Sequence, residues 1–167
     1  ASVMTQEEKV ICYCRNMAVD AVIHFYAGEL KQRGISFEYD MMLPQDIGIS
    51  DTDLCKIYGN LLENAVFHAK GMTELTLSVS LVGDKAVFEV ADNGCGIPDD
   101  ALQKIFTGSY EKSAAPVDGT RSNMGIGLSV CVAIVKAHGS DITAENRKGG
   151  GAVFRFALER GGEDDGQ

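Results

Sequence analysis

Apolar residues recur at intervals of three and four in three stretches of the chain, and this period is typical of helices with one buried face. The first stretch lies within residues 1–35, and its period is carried by Val19, Val22, Ile23, Tyr26 and Leu30. Basic residues followed by a glycine at positions 31–34 are typical of a helix end. A second helix is predicted over residues 50–69 and a third over residues 126–138.

Alternating apolar and polar residues predict strands between these helices. The alternation is clearest over residues 75–81 and resumes over residues 86–90 after a turn at Gly83 and Asp84, which together predict a β-hairpin. Further strands are predicted over residues 35–43, 141–145 and 152–158, and a short helix over residues 99–105. Helices and hairpin strands in this order predict an α+β fold, a sandwich in which helices cover one face of an antiparallel or mixed sheet.

Residues 107–123 show no periodicity and consist mainly of small, polar and charged side chains. A segment of this length without regular structure is uncommon inside a compact domain and is usually a functional lid or a disordered loop. Residues 161–167 are expected to form a frayed end. The chain is therefore expected to comprise a helical segment over residues 1–35, a main domain over residues 36–160 and a short tail.

Composition and charge fit one globular domain. The chain has 167 residues, of which 45% are apolar and 23% are charged. Its formal net charge of −9 argues against a nucleic-acid-binding protein, because phosphate backbones require a basic surface. We find no apolar run long enough for a membrane helix and no signal peptide. The five cysteines are odd in number and lack zinc-site spacing, so a reducing cytoplasm is expected.

Two asparagines stand four residues apart on the second predicted helix. On a helical wheel, Asn60 and Asn64 share one face at the edge of the apolar arc. Two carboxamides at a core boundary can present oxygens to a hard cation or amide groups to phosphate oxygens. They can equally well hydrogen-bond a neighbouring loop.

A carboxylate directly follows the second strand of the predicted hairpin. Alternation places Asp92 on the same face as Phe88 and Val90, so it is predicted to point into the layer, where a carboxylate needs a donor such as the exocyclic amine of adenine. Gly94 and Gly96 allow positive φ and a close approach to a flat ligand. The alternative is an ordinary turn in which Asp92 caps its own backbone.

Glycines also mark the point where the aperiodic segment meets the third predicted helix. Gly125 and Gly127 leave the N–H groups of the first turn accessible, and a helix N-terminus is a ready phosphate site. This is not a Rossmann fingerprint, because no strand precedes it, and it lacks the Gly-Lys-Ser/Thr of a Walker P-loop.

The order and spacing of these features resemble the GHKL ATP-binding family, which includes gyrase, Hsp90, MutL and histidine kinases. Residues 60–64 match the N box of that family, residues 92–97 its G1 box and residues 125–128 its G2 box. Residues 149–154 resemble the closing glycine motif, and Phe106 stands at the place of the F-box phenylalanine of the kinases. The resemblance covers residues 36–159. It implies the Bergerat fold, a two-layer sandwich with a mixed, mostly antiparallel sheet, in which ATP lies under a long mobile lid.

The resemblance also implies roles for individual residues. Asp92 would receive the adenine amine, Asn64 would hold the Mg²⁺ that bridges the phosphates, and Asn60 would lie near the phosphates. Asn60 and Asn64 are therefore the expected catalytic residues. His68 lies beside the apolar arc, where a phosphate or ribose contact and simple packing both remain open. The remaining expected nucleotide-binding residues belong to the G1 and G2 boxes: Gly94, Gly96, Ile97, Gly125, Ile126, Gly127 and Leu128.

One position bears on the reaction type. Hydrolytic members of the family carry a glutamate one helical turn before the metal-binding asparagine, whereas this chain has Asn60, which cannot act as a general base. Glu63 is near in sequence but lies about 100° around the helix from Asn64. Transfer of the γ-phosphoryl group to a histidine is therefore favoured, and the chain resembles the catalytic domain of a bacterial sensor histidine kinase.

Two positions depart from the histidine kinase pattern. Phe67 stands where many of these kinases have a basic residue, and Ala152 stands where the closing motif often has threonine. Lys70 or Arg121 are candidates for the missing charge. These departures favour an alternative, an ATP-sensing module without catalysis. A serine kinase of the anti-sigma-factor type shares the same boxes and is a second alternative.

The histidines do not include an obvious phosphoacceptor. His24 lacks the acidic residue that usually follows an acceptor histidine, and His138 precedes a glycine at a helix end, where a capping role is expected. The acceptor is therefore expected on another domain of the same protein, and a response regulator is the expected further partner. The helical segment over residues 1–35 is expected to be either the end of a dimerisation region or the first helix of the ATP domain itself. We expect a cytoplasmic homodimer without a nucleic-acid partner, in which any membrane attachment comes from upstream regions.

Overall fold

The elements of this computed structural model follow the predicted order along the chain. Residues 11–68, 70–102, 104 and 124–160 are described. The helices of this part of the chain are α1 (Met17–Gln32), α2 (Asp51–His68), α3 (Asp99–Leu102) and α4 (Met124–Ala137). Its strands are β1 (Ser36–Met41), β2 (Glu74–Val82), β3 (Lys85–Asp92), β4 (Ile142–Asn146) and β5 (Ala152–Glu159).

The strands form one five-stranded sheet in the order β1-β2-β3-β5-β4. β1 and β2 are parallel, because α2 carries the chain back between them, and the other neighbouring pairs are antiparallel. The predicted hairpin is formed by β2 and β3, with Val82 opposite Lys85 at its turn. The prediction of a mixed, mostly antiparallel sheet is confirmed.

The core lies between the helices and one face of this sheet. The register aligns Val79, Phe88 and Phe156 across three strands, and the rings of Phe88 and Phe156 stack with their centroids 4.7 Å apart. Tyr58 of α2 packs above Phe88 at a centroid distance of 6.2 Å. Apolar side chains in this layer each contribute about 1.5–3 kcal/mol when fully buried. The sheet therefore holds α2 directly over its central strands.

The first helix begins later than the sequence predicted. Residues 11–16 are not helical, and α1 begins at Met17, because the side chain of Asn16 accepts a hydrogen bond from the N–H of Val19 at 3.0 Å and so caps the helix. Val19, Ile23 and Leu30 of α1 are buried in the common core. The expectation of helix throughout residues 1–35 is therefore wrong for residues 11–16.

The second and fourth helices run antiparallel to each other. The imidazole of His138 lies 3.3 Å from the carboxylate of Asp53 at one end, and Cys131 donates to the carbonyl of Ile57 at 3.7 Å in the middle. The start of α4 consequently lies beside the C-terminal half of α2. The glycines of the predicted G2 box fall inside the first turn of α4, since this helix begins at Met124, two residues before the predicted start.

Candidate active site

Asn60 and Asn64 lie half-buried on the side of α2 that faces α4. The amide nitrogen of Asn60 donates to the carbonyl of Lys56 at 2.7 Å. Its Oδ1 atom lies against the backbone of α4, where a β-carbon at Gly127 would come within 2.9 Å of it. The N box and the G2 box are therefore in direct contact, and glycine at position 127 makes this approach possible.

The side-chain oxygen of Asn64 is buried and has no hydrogen-bond partner among the described residues. An unsatisfied buried acceptor costs about 1–3 kcal/mol, so such an atom needs an explanation. The same part of the chain contains only one other such atom, the hydroxyl of Tyr58 in the core. Unlike that hydroxyl, the oxygen of Asn64 lies one helical turn from the contact between Asn60 and Gly127, at the predicted phosphate end of the site.

Asp92 ends β3 and is 7% exposed, which agrees with the prediction that its carboxylate points into the layer. One carboxylate oxygen accepts a hydrogen bond from the N–H of Gly94 at 2.8 Å. The other oxygen has no recorded partner in the described part of the chain. The carboxylate thus caps its own turn and still has an oxygen left to accept from a ligand amine.

The turn after Asp92 is held from one side by the loop before β2. The side chain of Asn93 accepts hydrogen bonds from the N–H groups of Thr73 and Glu74 at 2.9 and 2.8 Å. It also donates to the hydroxyl of Thr73 at 2.8 Å. These bonds tie the G1 box to the loop that follows α2.

The same turn is held from the other side by the hairpin between β4 and β5. The amide of Asn146 donates to the carbonyl of Ile97 and accepts from its N–H, both at 2.7 Å. Arg147 donates to the carbonyl of Asp92 at 3.0 Å. The sequence-based prediction missed Asn146 and Arg147 and gave no role to Asn93, although Asn93 lies within the G1 box. The only signals were that Asn93 follows the carboxylate directly and that Asn146 ends a strand.

The closing glycine motif packs on the backbone of the Asp92 turn. Gly151 has a φ of +98°, and a β-carbon at this position would lie 1.9 Å from the carbonyl oxygen of Asp92. Glycine is therefore required here for both space and backbone conformation. Gly96 has the positive φ expected for it, +75°, whereas Gly94 is not among the residues with positive φ.

The other predicted site residues are placed as follows. Leu128 is 1% exposed and belongs to the core, so its side chain acts in packing. Gly125 and Ile126 lie in the first turn of α4, but the side chain of Ile126 lies outside the described residues, as does that of His68. The predicted lid over 107–123 with Arg121, the F-box residue Phe106 and the tail over 161–167 also lie outside them.

Glu63 lies near Tyr26 of α1. The hydroxyl of Tyr26 on α1 donates to the carbonyl of Gly59 at 3.2 Å. Burial, and to a lesser extent the nearby carboxylate of Glu63, raises the pKa of Tyr26. Glu63 therefore lies on the α1 side of α2, so it is not positioned to replace a glutamate at position 60.

Metal ligands of the usual charged types do not cluster in the described residues, which contain no group of three or more histidine, cysteine, aspartate or glutamate side chains able to hold an ion. A cation at this site would consequently depend on amide oxygens and on the oxygens of the ligand itself. The described helices include none that is both long and apolar enough to cross a membrane.

Comparison with known families and proteins gives a consistent result. Residues 50–162 match the family model described as histidine kinase-, DNA gyrase B- and HSP90-like ATPase. The sensor protein KdpD of Escherichia coli is 35% identical over 136 residues, which are 78% of this chain and 14% of KdpD. The histidine kinase AfsQ2 of Streptomyces coelicolor is 40% identical over 102 residues, 61% of this chain and 18% of AfsQ2. The chain thus spans less than a fifth of the length of these two relatives.

Solved structures show the same similarity at the level of the fold. The catalytic domain of histidine kinase ThkA superposes with a TM-score of 0.70 at 25% identity, over 87% of this chain and 93% of that domain. Full-length ShkA in complex with AMPPNP superposes with a TM-score of 0.65 at 25% identity, over 84% of this chain and 29% of ShkA.

Proposed function

Because the chain belongs to the family of histidine kinase-, DNA gyrase B- and HSP90-like ATPases, we propose that it binds ATP between α2, the Asp92 turn and the start of α4. We further propose that it donates the γ-phosphoryl group to a histidine on another domain. The observation that carries this proposal is the unpartnered buried oxygen of Asn64. It lies on the α2 face where Asn60 meets the glycine-containing first turn of α4.

The adenine end of the proposed site is formed by Asp92. This carboxylate is nearly buried and keeps one oxygen free of hydrogen bonds within the described residues. A buried carboxylate oxygen is a strong acceptor for an exocyclic amine, because the bond is charge-assisted and shielded from water. The flanking turn is fixed by Asn93 and Asn146, so the acceptor is held in place before the ligand arrives.

The phosphate end suits a magnesium ion bound together with the nucleotide. Mg²⁺ is a hard cation that takes oxygen ligands and usually keeps several waters and substrate phosphates among them. The Asn64 oxygen fits this preference, since it is an amide oxygen and lacks a hydrogen-bond partner among the described residues. When bound, the ion would neutralise negative charge on the phosphates. The residues of the chain itself orient the nucleotide and exclude water around it.

The proposed reaction is transfer rather than hydrolysis. Water attack requires a general base, and Asn60 cannot accept a proton in that role. Its amide nitrogen is already engaged by the carbonyl of Lys56, and Glu63 lies on the α1 side of the helix. A neutral imidazole has an unprotonated ring nitrogen that can attack the γ-phosphorus through its lone pair as ADP leaves, so transfer to histidine does not need this base.

The acceptor histidine is proposed to lie on another domain of the same protein. His24 and His138 of this chain contact Asp20 and Asp53, at 3.4 and 3.3 Å. The similarity to the sensor protein KdpD and to the signal transduction histidine-protein kinase AfsQ2 supports a response regulator as the next partner. We place the domain in the cytoplasm as part of a homodimer. We also assign α1 to the ATP-binding domain, since its buried residues share the core with α2.

The experiment that tests the proposal is calorimetric titration with AMPPNP, with and without Mg²⁺. The unmodified chain should bind in a magnesium-dependent manner. Asp92→Ala should weaken binding at least about tenfold, because it removes a charge-assisted hydrogen bond. Asn64→Ala should abolish the magnesium dependence, whereas Asn93→Ala should leave that dependence intact. Absence of binding by the unmodified chain at millimolar AMPPNP would refute the proposal.

A second candidate function is ATP sensing without phosphoryl transfer. It is favoured by Ala152, which is buried and offers no hydroxyl at the closing motif, and by Phe67, which carries no charge. The two candidates differ in one measurement, the transfer of labelled γ-phosphate to a supplied histidine-containing domain of a related kinase. Magnesium-dependent binding without transfer would favour the sensing module.

A further inference from the structure

Arg33 stands at the C-terminal end of α1 and stacks on an aromatic ring of α2. Its guanidinium carbon lies 4.8 Å from the centroid of the Phe67 ring. The backbone N–H of Arg33 bonds the carbonyls of Glu29 and Leu30, which fixes this residue at the end of the helix. Because α1 and α2 pack against each other, the stacked guanidinium has a defined position in the fold.

The Phe67 ring that Arg33 contacts lies within one helical turn of Asn64 along α2. Phe67 and Asn64 are three residues apart on α2, and side chains with this spacing are neighbours with Cβ atoms about 5–6 Å apart. Arg33 thus contacts the aromatic side chain that lies three residues along α2 from Asn64, whose side-chain oxygen lacks a partner among the described residues. Its side chain is 43% exposed, so a ligand can reach it.

The described residues proposed to contact the nucleotide supply no positive charge to offset the charge of a nucleotide. Asn60 and Asn64 are neutral and Asp92 is acidic, whereas a nucleoside triphosphate carries several negative charges. The recorded ion pair of Arg33 is weak, since its Nε atom lies 3.9 Å from the carboxylate of Glu29. The terminal nitrogens of the guanidinium have no recorded hydrogen bond to any of the described residues.

We propose that Arg33 binds the terminal phosphates of the nucleotide from its place on the Phe67 ring. This inference rests on the proposed ATP-binding function and adds a residue from α1 to the site. A planar guanidinium can donate two parallel hydrogen bonds to one phosphate group. The Phe67 ring holds the guanidinium through a cation–π contact. Phe67 would thus supply a positive charge indirectly, at the position where many histidine kinases have a basic residue.

The test compares ligands that differ in phosphate number. The affinities of AMPPNP, ADP and adenosine are measured by calorimetry in the presence of Mg²⁺ for the unmodified chain, Arg33→Ala and Arg155→Ala. Arg33→Ala should weaken AMPPNP binding about tenfold, weaken ADP binding less and leave adenosine binding unchanged. Arg155→Ala is the matched control, because Arg155 is similarly exposed and pairs with Glu89 across the sheet; it should change none of the three.

A rescue variant separates phosphate binding from a merely structural role. Phe67→Lys in the Arg33→Ala background introduces a cation at position 67 and should restore most of the AMPPNP affinity. Unchanged AMPPNP affinity in Arg33→Ala would overturn the inference, and so would an equal loss for adenosine. Failure of the unmodified chain to bind AMPPNP would overturn the proposed function together with this inference, whereas the two previous outcomes would leave that function standing.

Discussion

At the scale of single residues, the candidate site depends on an asparagine far from it in the sequence. Asn146 and Ile97 are 49 positions apart, yet the side-chain amide of Asn146 satisfies both the N–H and the carbonyl of Ile97. This contact could not be predicted from the residues around Asn146, because the contact depends on how β4 lies against the turn after β3. The places of Asp92 and Asn64, by contrast, could be predicted, since alternation assigns Asp92 to the buried face of its strand and the helical period places Asn64 at the edge of the apolar arc.

Asn146→Ala should weaken nucleotide binding although Asn146 is not proposed to contact the nucleotide. The loss of two hydrogen bonds frees the backbone of Ile97 and lets the Asp92 turn move, at a cost of about 1 kcal/mol for each bond. We expect AMPPNP and adenosine affinities to fall together, about fivefold, because the adenine end is affected. Calorimetry measures both, and Thr143→Ala at the other end of β4 is the control. A variant with a lower Tm but unchanged affinities would mean that Asn146 stabilises the fold without positioning the site.

At the scale of secondary-structure elements, periodicity predicted the helices and strands well but not all of their ends. The start of α1 was missed because it is set by one side chain, Asn16, which is buried and also bonds Asp51 of α2. The start of α4 was placed two residues late, because the segment up to Gly125 shows no periodicity and was interpreted as preceding the helix. Glycine lowers helix propensity by about 1 kcal/mol relative to alanine, but at position 127 it permits the close contact with Asn60.

The close contact between α4 and α2 gives a prediction for Gly127. Alanine is normally the better helix former, and Gly28→Ala in α1, where a β-carbon meets nothing within 4 Å, should stabilise the protein. Gly127→Ala should instead destabilise it by about 1–2 kcal/mol, because the new methyl group would lie 2.9 Å from Oδ1 of Asn60. Urea unfolding measures both changes.

The double variant Gly127→Ala with Asn60→Ala identifies the cause of that loss. Removing the Asn60 amide removes the obstructing atom, so the two substitutions together should cost less than the sum of the single ones. Additive free energies would contradict a direct clash between α4 and α2. They would indicate that the methyl group disturbs the first turn of α4 itself.

At the scale of the whole molecule, the sheet order could be predicted only in part. The hairpin of β2 and β3 could be predicted from its short turn. The last strand, β5, however, pairs with β3 on one side and β4 on the other, so β3 and β4 are not neighbours although they are consecutive in the chain. Pairing of this kind depends on contacts between strands far apart in the sequence, which local patterning does not encode. Because β5 lies beside β3, Gly151 at the start of β5 packs on the carbonyl of Asp92 at the end of β3.

The common core also makes the stability of the whole domain sensitive to alkaline pH. Burial raises the pKa of Cys131 from 9.0 to about 12, and burial likewise raises that of Cys14 to about 11. The unfolded chain releases these protons above about pH 9, while the folded chain keeps them. Their contribution is therefore complete below about pH 9 and is lost as the pH rises toward 11 and 12, at about 1.4 kcal/mol per pH unit for each thiol. Burial also raises the pKa of Tyr58, which adds to the same slope.

Urea unfolding under reducing conditions at several pH values between about 7 and 11 tests this dependence. Cys131→Ala removes one titrating group, so its free energy of unfolding should start lower near neutral pH, because a cavity is created, but should then fall less steeply above about pH 9. Val135→Ala is the matched control, since this buried side chain of the same helix does not titrate, and its curve should start lower but run parallel to that of the unmodified chain. If the Cys131→Ala curve were parallel as well, the alkaline loss would have to arise from other groups, and the core thiol would stabilise the domain by packing alone.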